Sequence, residues 1–88
     1  MKAKEMFEEL GYMLMTQEMQ ELTWGDYSYY DEKEIYYSQN PQDWDFDGIC
    51  FSLNEKTFYA EIRYNYPIRI DLKLYKAITQ KMKELGWL

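Results

Sequence analysis

Along the first ten residues Ala3, Met6, Phe7 and Leu10 recur at helical steps with Lys and Glu between them, the spacing of one buried stripe on a helix. A helix is therefore predicted over Lys2 to Leu10, stopped by Gly11. The same period returns in Tyr75, Ile78, Met82 and Leu85, with Asp71 placed to cap the helix start and Gly86 to stop it. The two helix ends match: ELGY (Glu9 to Tyr12) and ELGW (Glu84 to Trp87) each set an aromatic residue after a glycine. A left-handed glycine there lets the aromatic fold back on Phe7 or Met82, inside the helix end. So short a match is a shared cap and not a domain repeat.

Between the helices the period changes to two. Ile49, Phe51 and Leu53 alternate with Cys50 and Ser52; after the turn Asn54-Glu55-Lys56, Phe58, Ala60, Ile62 and Tyr64 alternate with Tyr59, Glu61, Arg63 and Asn65. This predicts a β-hairpin with one buried face. EIYYS, Glu34 to Ser38, is a third strand, joined to the hairpin by the loop Gln39 to Phe46, where Asn40-Pro41 marks a turn. In residues 12–33 the pattern is weakest: YMLMT reads as a strand or an irregular packed segment, and Gly25-Asp26 breaks what surrounds it. Ile68 and Ile70 continue the alternation past Pro67, which leaves the boundary between sheet and last helix open. The expected fold is α+β in a single domain, 1–88: an N-terminal helix, a three- to four-stranded antiparallel sheet, and a C-terminal helix packed on one face. Double-stranded RNA binding domains share that order, but they present a basic cluster where this chain has Asp71-Leu72-Lys73-Leu74.

Composition narrows the function. At 88 residues, the chain buries roughly two-thirds of its unfolded surface. Cys50 is the only cysteine, so no intramolecular disulfide adds to a modest core, and stability rests on packing or self-association, a homodimer included. The lone thiol fits a reducing compartment, MKAKEMFEEL lacks the apolar run of a signal peptide, and no segment is a membrane span; a cytoplasmic setting is expected. The net charge of −6 divides into −10 over residues 1–55 and +4 over residues 56–88. Such a surface repels phosphates, so nucleic acid is a poor partner and a protein with a basic surface a better one.

Candidate chemistry is sparse. There is no histidine, the side chain best suited to proton transfer near neutral pH. Cys50 has no His partner and falls on the face opposite Ile49 and Phe51, as a packed or half-exposed thiol. The four glycines, at 11, 25, 48 and 86, form no phosphate loop. No enzymatic activity and no cofactor are expected. DWDFDG, Asp43 to Gly48, opens like a calcium loop, with carboxylates at positions 1, 3 and 5 and glycine at 6. Position 12, however, is Asn54 where a bidentate Glu is needed, so weak calcium binding is a minor alternative and no metal ligand is assigned.

The richer signal lies between Glu18 and Asp47, where nine acids stand against Lys33 and are interleaved with aromatic residues. Trp and Tyr are favoured at interface hot spots, and surrounding charge steers encounter. The expected partner-binding residues are Trp24, Asp26, Tyr27, Tyr29, Tyr30, Asp31, Asp43, Trp44, Asp45 and Asp47. A competing reading is nucleic-acid binding through the basic C-terminal helix, with Lys73, Lys76, Lys81 and Lys83 near Tyr59, Arg63 and Arg69. The bland account of those lysines is the solvated face of an amphipathic helix.

KAKEMFEELGY at the start and AITQKMKELGW at the end resemble the termini of small uncharacterised proteins encoded by phages and mobile elements of Gram-positive bacteria. The resemblance covers the two ends and assigns no catalytic residue. It implies a host-cell cytoplasmic setting and action on a host or defence protein, by occupying a channel meant for nucleic acid.

Overall fold

A computed structural model describes residues 1–27, 30–39, 47–61 and 68–88. Helix α1 spans Ala3–Glu9, strand β1 Met13–Leu14, helix α2 Gln17–Trp24, a 3-10 turn Gly25–Tyr27, β2 Glu34–Ser38, β3 Gly48–Ser52, β4 Thr57–Glu61 and helix α3 Leu72–Glu84. The fold is α+β, as the periodicity predicts.

Both terminal helices end in the same way. Gly11 and Gly86 are left-handed, with φ of 87° and 76°. The N–H of Gly11 donates to Glu8 O and that of Tyr12 to Phe7 O; Gly86 and Trp87 donate likewise to Lys83 O and Met82 O. These are the paired bonds of a Schellman cap, which satisfy carbonyls that a helix end leaves free. At the first cap Tyr12 meets Phe7 edge-on, with ring centroids 5.8 Å apart. At the other end of α3, the Asp71 side chain accepts from Leu74 N at 2.9 Å, the N-cap expected from the sequence. Lys2 gives α1 no side-chain cap, and α3 supplies one: Glu84 Oε2 accepts from Ala3 N at 2.7 Å. Burial pushes the Glu84 carboxyl up, but that bond, Gln80 and the nearby Lys81 and Lys2 outweigh it and hold the group below its ordinary value.

The sheet is an antiparallel meander in the order β1-β2-β3-β4. The two-residue period sorts its side chains. Tyr37 pairs with Ile49 and Ile49 with Ala60; Ile35 pairs with Phe51 and Phe51 with Phe58. This inner face meets Ala3 and Phe7 of α1 and Leu74, Ala77 and Ile78 of α3 in the main core. At its centre Phe7 stacks on Tyr37, centroids 4.0 Å apart and planes 14° from parallel, and stands edge-on to Phe51.

Two expectations change. Residues 12–33 contain a helix, α2, in addition to the two-residue strand β1. Ile68 and Ile70 are not in a strand; Ile68 packs on the core, Ile70 is exposed, and the helix begins after Asp71. The part of the predicted second hairpin strand from Ile62 to Tyr64 lies outside the described residues.

Candidate partner-binding surface

The surface is built on α2 and on the turn that starts β2. Thr16 Oγ1 accepts from Met19 N at 3.2 Å and so caps α2, and Gly25, at φ 55°, ends it. Gln20 and Trp24, one turn apart, are its buried residues. Gln20 Nε2 donates to Met15 O at 3.1 Å, and Met15 N donates to Tyr36 O at 2.8 Å, which ties the helix to the edge of β2. Glu18, Glu21 and Leu22 are left on the exposed side. Asp31 forms the second wall: its side chain accepts from Lys33 N at 2.9 Å and its carbonyl from Glu34 N at 3.0 Å, fixing the turn into β2.

An open depression of about 520 Å³ lies among Gln17, Glu21, Gly25, Asp26 and Tyr30. A second, of about 660 Å³, is lined by Gln17, Tyr30, Asp31 and Glu32. Gln17 and Tyr30 border both, so the two read as one groove carrying four carboxylates. No Lys or Arg is among these lining residues. Tyr30 is 41% exposed, so its ring can lie against a cation while the carboxylates receive it.

Of the residues expected from the sequence, Asp26, Tyr30 and Asp31 come together here. Trp24 does not: at 7% exposure it belongs to the interior side of α2 and cannot anchor a partner. Tyr27 closes the 3-10 turn. Tyr29, Asp43, Trp44 and Asp45 lie outside the described residues. Asp47 stands at the far end of the ladder, its carbonyl accepting from Gln39 N at 2.7 Å. With β2 between them, Asp31 and Asp47 are separated by roughly 20 Å at the rise of an extended chain. Asp47 lies instead near Tyr12, whose hydroxyl is raised by burial and by the charges of Asp71 and Asp47. Gln17, Glu21 and Glu32 are lining residues outside the expected set, although Thr16 before Gln17 and Gly25 after Trp24 are helix start and stop signals for α2.

DWDFDG does not continue into a calcium loop. A glycine at position 6 serves that loop by making its sharp turn; Gly48 is instead the first residue of β3, paired with Ser38 and Glu61, and has no left-handed φ. The strand Gly48–Ser52 then holds Asn54 away from Asp47 by about 20 Å. Asp47 and Asn54 cannot converge on one ion.

The outer face of the sheet carries Tyr36, Cys50 and Tyr59 side by side across three strands. Cys50 Sγ lies 3.6 Å from Glu34 Oε2, and Tyr59 OH donates to Glu34 Oε1 at 3.3 Å. Burial, aided by the charges of Glu34 and Glu61 and opposed by Tyr59, pushes the Cys50 thiol up to about 12. A nucleophile needs the thiolate, and this site keeps the proton on. On α3, Lys73, Lys76 and Lys83 are exposed, whereas the Lys81 ammonium sits 6.0 Å above the Tyr37 ring at the edge of the core. Among the described residues no helix is long and apolar enough to cross a membrane, and no group of three or more His, Cys, Asp or Glu side chains could hold a metal ion.

The chain matches no protein-family model, no curated protein and no solved structure with which it was compared.

Proposed function

We propose that this is a small non-enzymatic interaction protein that engages a basic surface on a protein partner through the groove between α2 and the turn before β2. The observation that carries this reading is four carboxylates, Glu21, Asp26, Asp31 and Glu32, around the exposed ring of Tyr30, with no cation among the described lining residues. In the cytoplasm of a host cell, such a surface imitates the phosphate run of a nucleic acid and competes for a host or defence protein that binds one. The charge balance of −10 over residues 1–55 supports it.

The test is capture from host lysate with the wild type and with Glu21→Lys/Asp26→Lys/Glu32→Lys and Tyr30→Ala, each confirmed folded by circular dichroism. A partner retained by the wild type, lost with the reversed charges, and displaced by added duplex is the expected result. Identical partner lists for all folded variants would sink the reading. Trp24→Ala is a poor probe here, because it reports on packing.

A further inference from the structure

Two surface strips of opposite sign carry exposed apolar side chains, and nothing within the described chain covers either. On α2, Glu18, Glu21 and Leu22 lie outward, with Leu22 75% exposed. On and just before α3, Ile70, Leu72 and Tyr75 are 46%, 66% and 55% exposed, and Arg69, Lys73 and Lys76 stand exposed among them. Away from the chain ends, Leu22 and Leu72 are the two most exposed large apolar residues of the described chain. A single exposed leucine is ordinary. The informative feature is that each stands one helical turn from its charge: Glu18 is four residues before Leu22, and Lys76 is four after Leu72.

Among the described residues, neither strip is spent internally. The opposite side of α3, Leu74, Ala77 and Ile78, is already in the core, and the buried residues of α2 are Gln20 and Trp24. Among the described residues none of these carboxylates is ion-paired with these cations.

We propose that the acidic side of α2 docks on the basic, apolar side of α3 in a second copy of this chain, Leu22 and Leu72 covering each other while Glu18 and Glu21 face Lys73 and Lys76. This goes beyond the reading of the acidic groove: the contact uses the adjoining outward side of α2 and shares only Glu21 with the groove lining. In a two-fold pair the contact is made twice, since each copy offers both strips. Apolar contact gives the adhesion, and the charges set orientation and reject the like-signed alternatives.

The experiment measures the mass of the purified full chain by sedimentation velocity over a concentration series. At low salt the wild type populates a dimer, and at about 1 M salt, where the Debye length is about 3 Å, the dimer recedes. Glu18→Lys/Glu21→Lys and Lys73→Glu/Lys76→Glu each weaken it by roughly tenfold or more, as two reversed exposed pairs should. An equimolar mixture of the two variants associates again, because each then meets its complement. A wild type that stays monomeric at every concentration overturns the proposal without use of any variant. So does a dimer indifferent to salt and to both reversals, or a mixture that fails to recover. A monomeric wild type leaves the lysate experiment free to decide on a foreign partner, so the two readings fail separately.

Discussion

Replacing Gly48 by alanine adds one methyl group where the strands leave no room. A Cβ built on Gly48 runs into the carbonyl oxygen of Tyr37 and comes within 3.0 Å of Ser38 Cα and Tyr36 Cε2. Two of these obstacles are backbone atoms of β2, the strand paired with β3 at Ser38↔Gly48 and Tyr37↔Ile49, so relief requires the central ladder to part. In an ordinary strand position alanine is better than glycine by about 0.5–1 kcal/mol, because glycine loses more freedom on folding. Overpacking a filled site costs about 1–3 kcal/mol, and more when rigid backbone must move. The clash outweighs the entropy gain, and a net loss of about 3 kcal/mol is expected. A domain of this length has roughly 4–13 kcal/mol in all. In urea the midpoint then falls by about 2 M at an m-value of about 1.5 kcal/mol/M, and in EDTA the same loss is found, since no metal enters the argument. Gly86→Ala is the control. Its position is left-handed at φ 76° but open, with nothing within 4 Å of the added atom, so only the backbone strain of about 1–2 kcal/mol applies. A Gly48→Ala protein as stable as the wild type in EDTA would refute the packing argument and reopen a loop role for this glycine.

Asp71→Ala removes the acceptor for Leu74 N at the start of α3 and lowers stability by about 1 kcal/mol in urea unfolding; no change would mean that water replaces the cap without loss. The Cys50 thiol, held at about 12 in the folded protein against 9.0 when free, binds its proton more tightly when folded, so stability is complete below about pH 9 and falls as pH rises towards 12. The loss from this thiol between pH 9 and 10 is about 1 kcal/mol, or about 4–8 °C in Tm, and the Cys50→Ala curve is shallower by that amount, keeping the slope from Tyr36 and Tyr37, whose hydroxyls burial also raises; parallel curves for the two proteins would show that the thiol is not the cause.

Most elements are legible in the sequence because their side chains obey one rule, apolar inward at the period of the backbone. α1 and α3 do so, and the three longer strands do so on the inner face, with Cys50 a buried exception on the outer one; EIYYS marks β2 to the residue. Helix α2 breaks the rule at two positions. Its inward side holds Gln20, a polar residue whose amide is satisfied by Met15 O, while Leu22 stands 75% exposed on the outside. The apolar stripe a reader looks for is partly inverted, and only the caps, Thr16 and Gly25, remain as evidence. Gly48 fails for a different reason: a glycine required by close approach of a neighbouring strand is indistinguishable in one dimension from a glycine required by a turn.

The sequence reading groups described residues that the structure keeps apart, for a physical reason. Counting acids and aromatics between Glu18 and Asp47 treats nearness in sequence as nearness in space, and the strand β2 breaks that link by carrying the chain away from the groove. It also counts aromatics the core has already taken. Tyr37 is 1% exposed and stacked on Phe7, and Trp24 is 7% exposed. A core of this size fills its volume with large rings because it has few other means. Among the described residues, what remains at the groove is Tyr30, with the exposed Leu22 next to the lining residue Glu21 on α2. One or two exposed apolar anchors supply little of the affinity that clustered aromatic hot spots give. The carboxylates must then contribute through steering and orientation, which salt weakens within a Debye length of about 8 Å at physiological ionic strength. On the proposed reading, association at this surface, whether with a second copy or with a foreign basic partner, is expected to be fast, salt-sensitive and readily reversed.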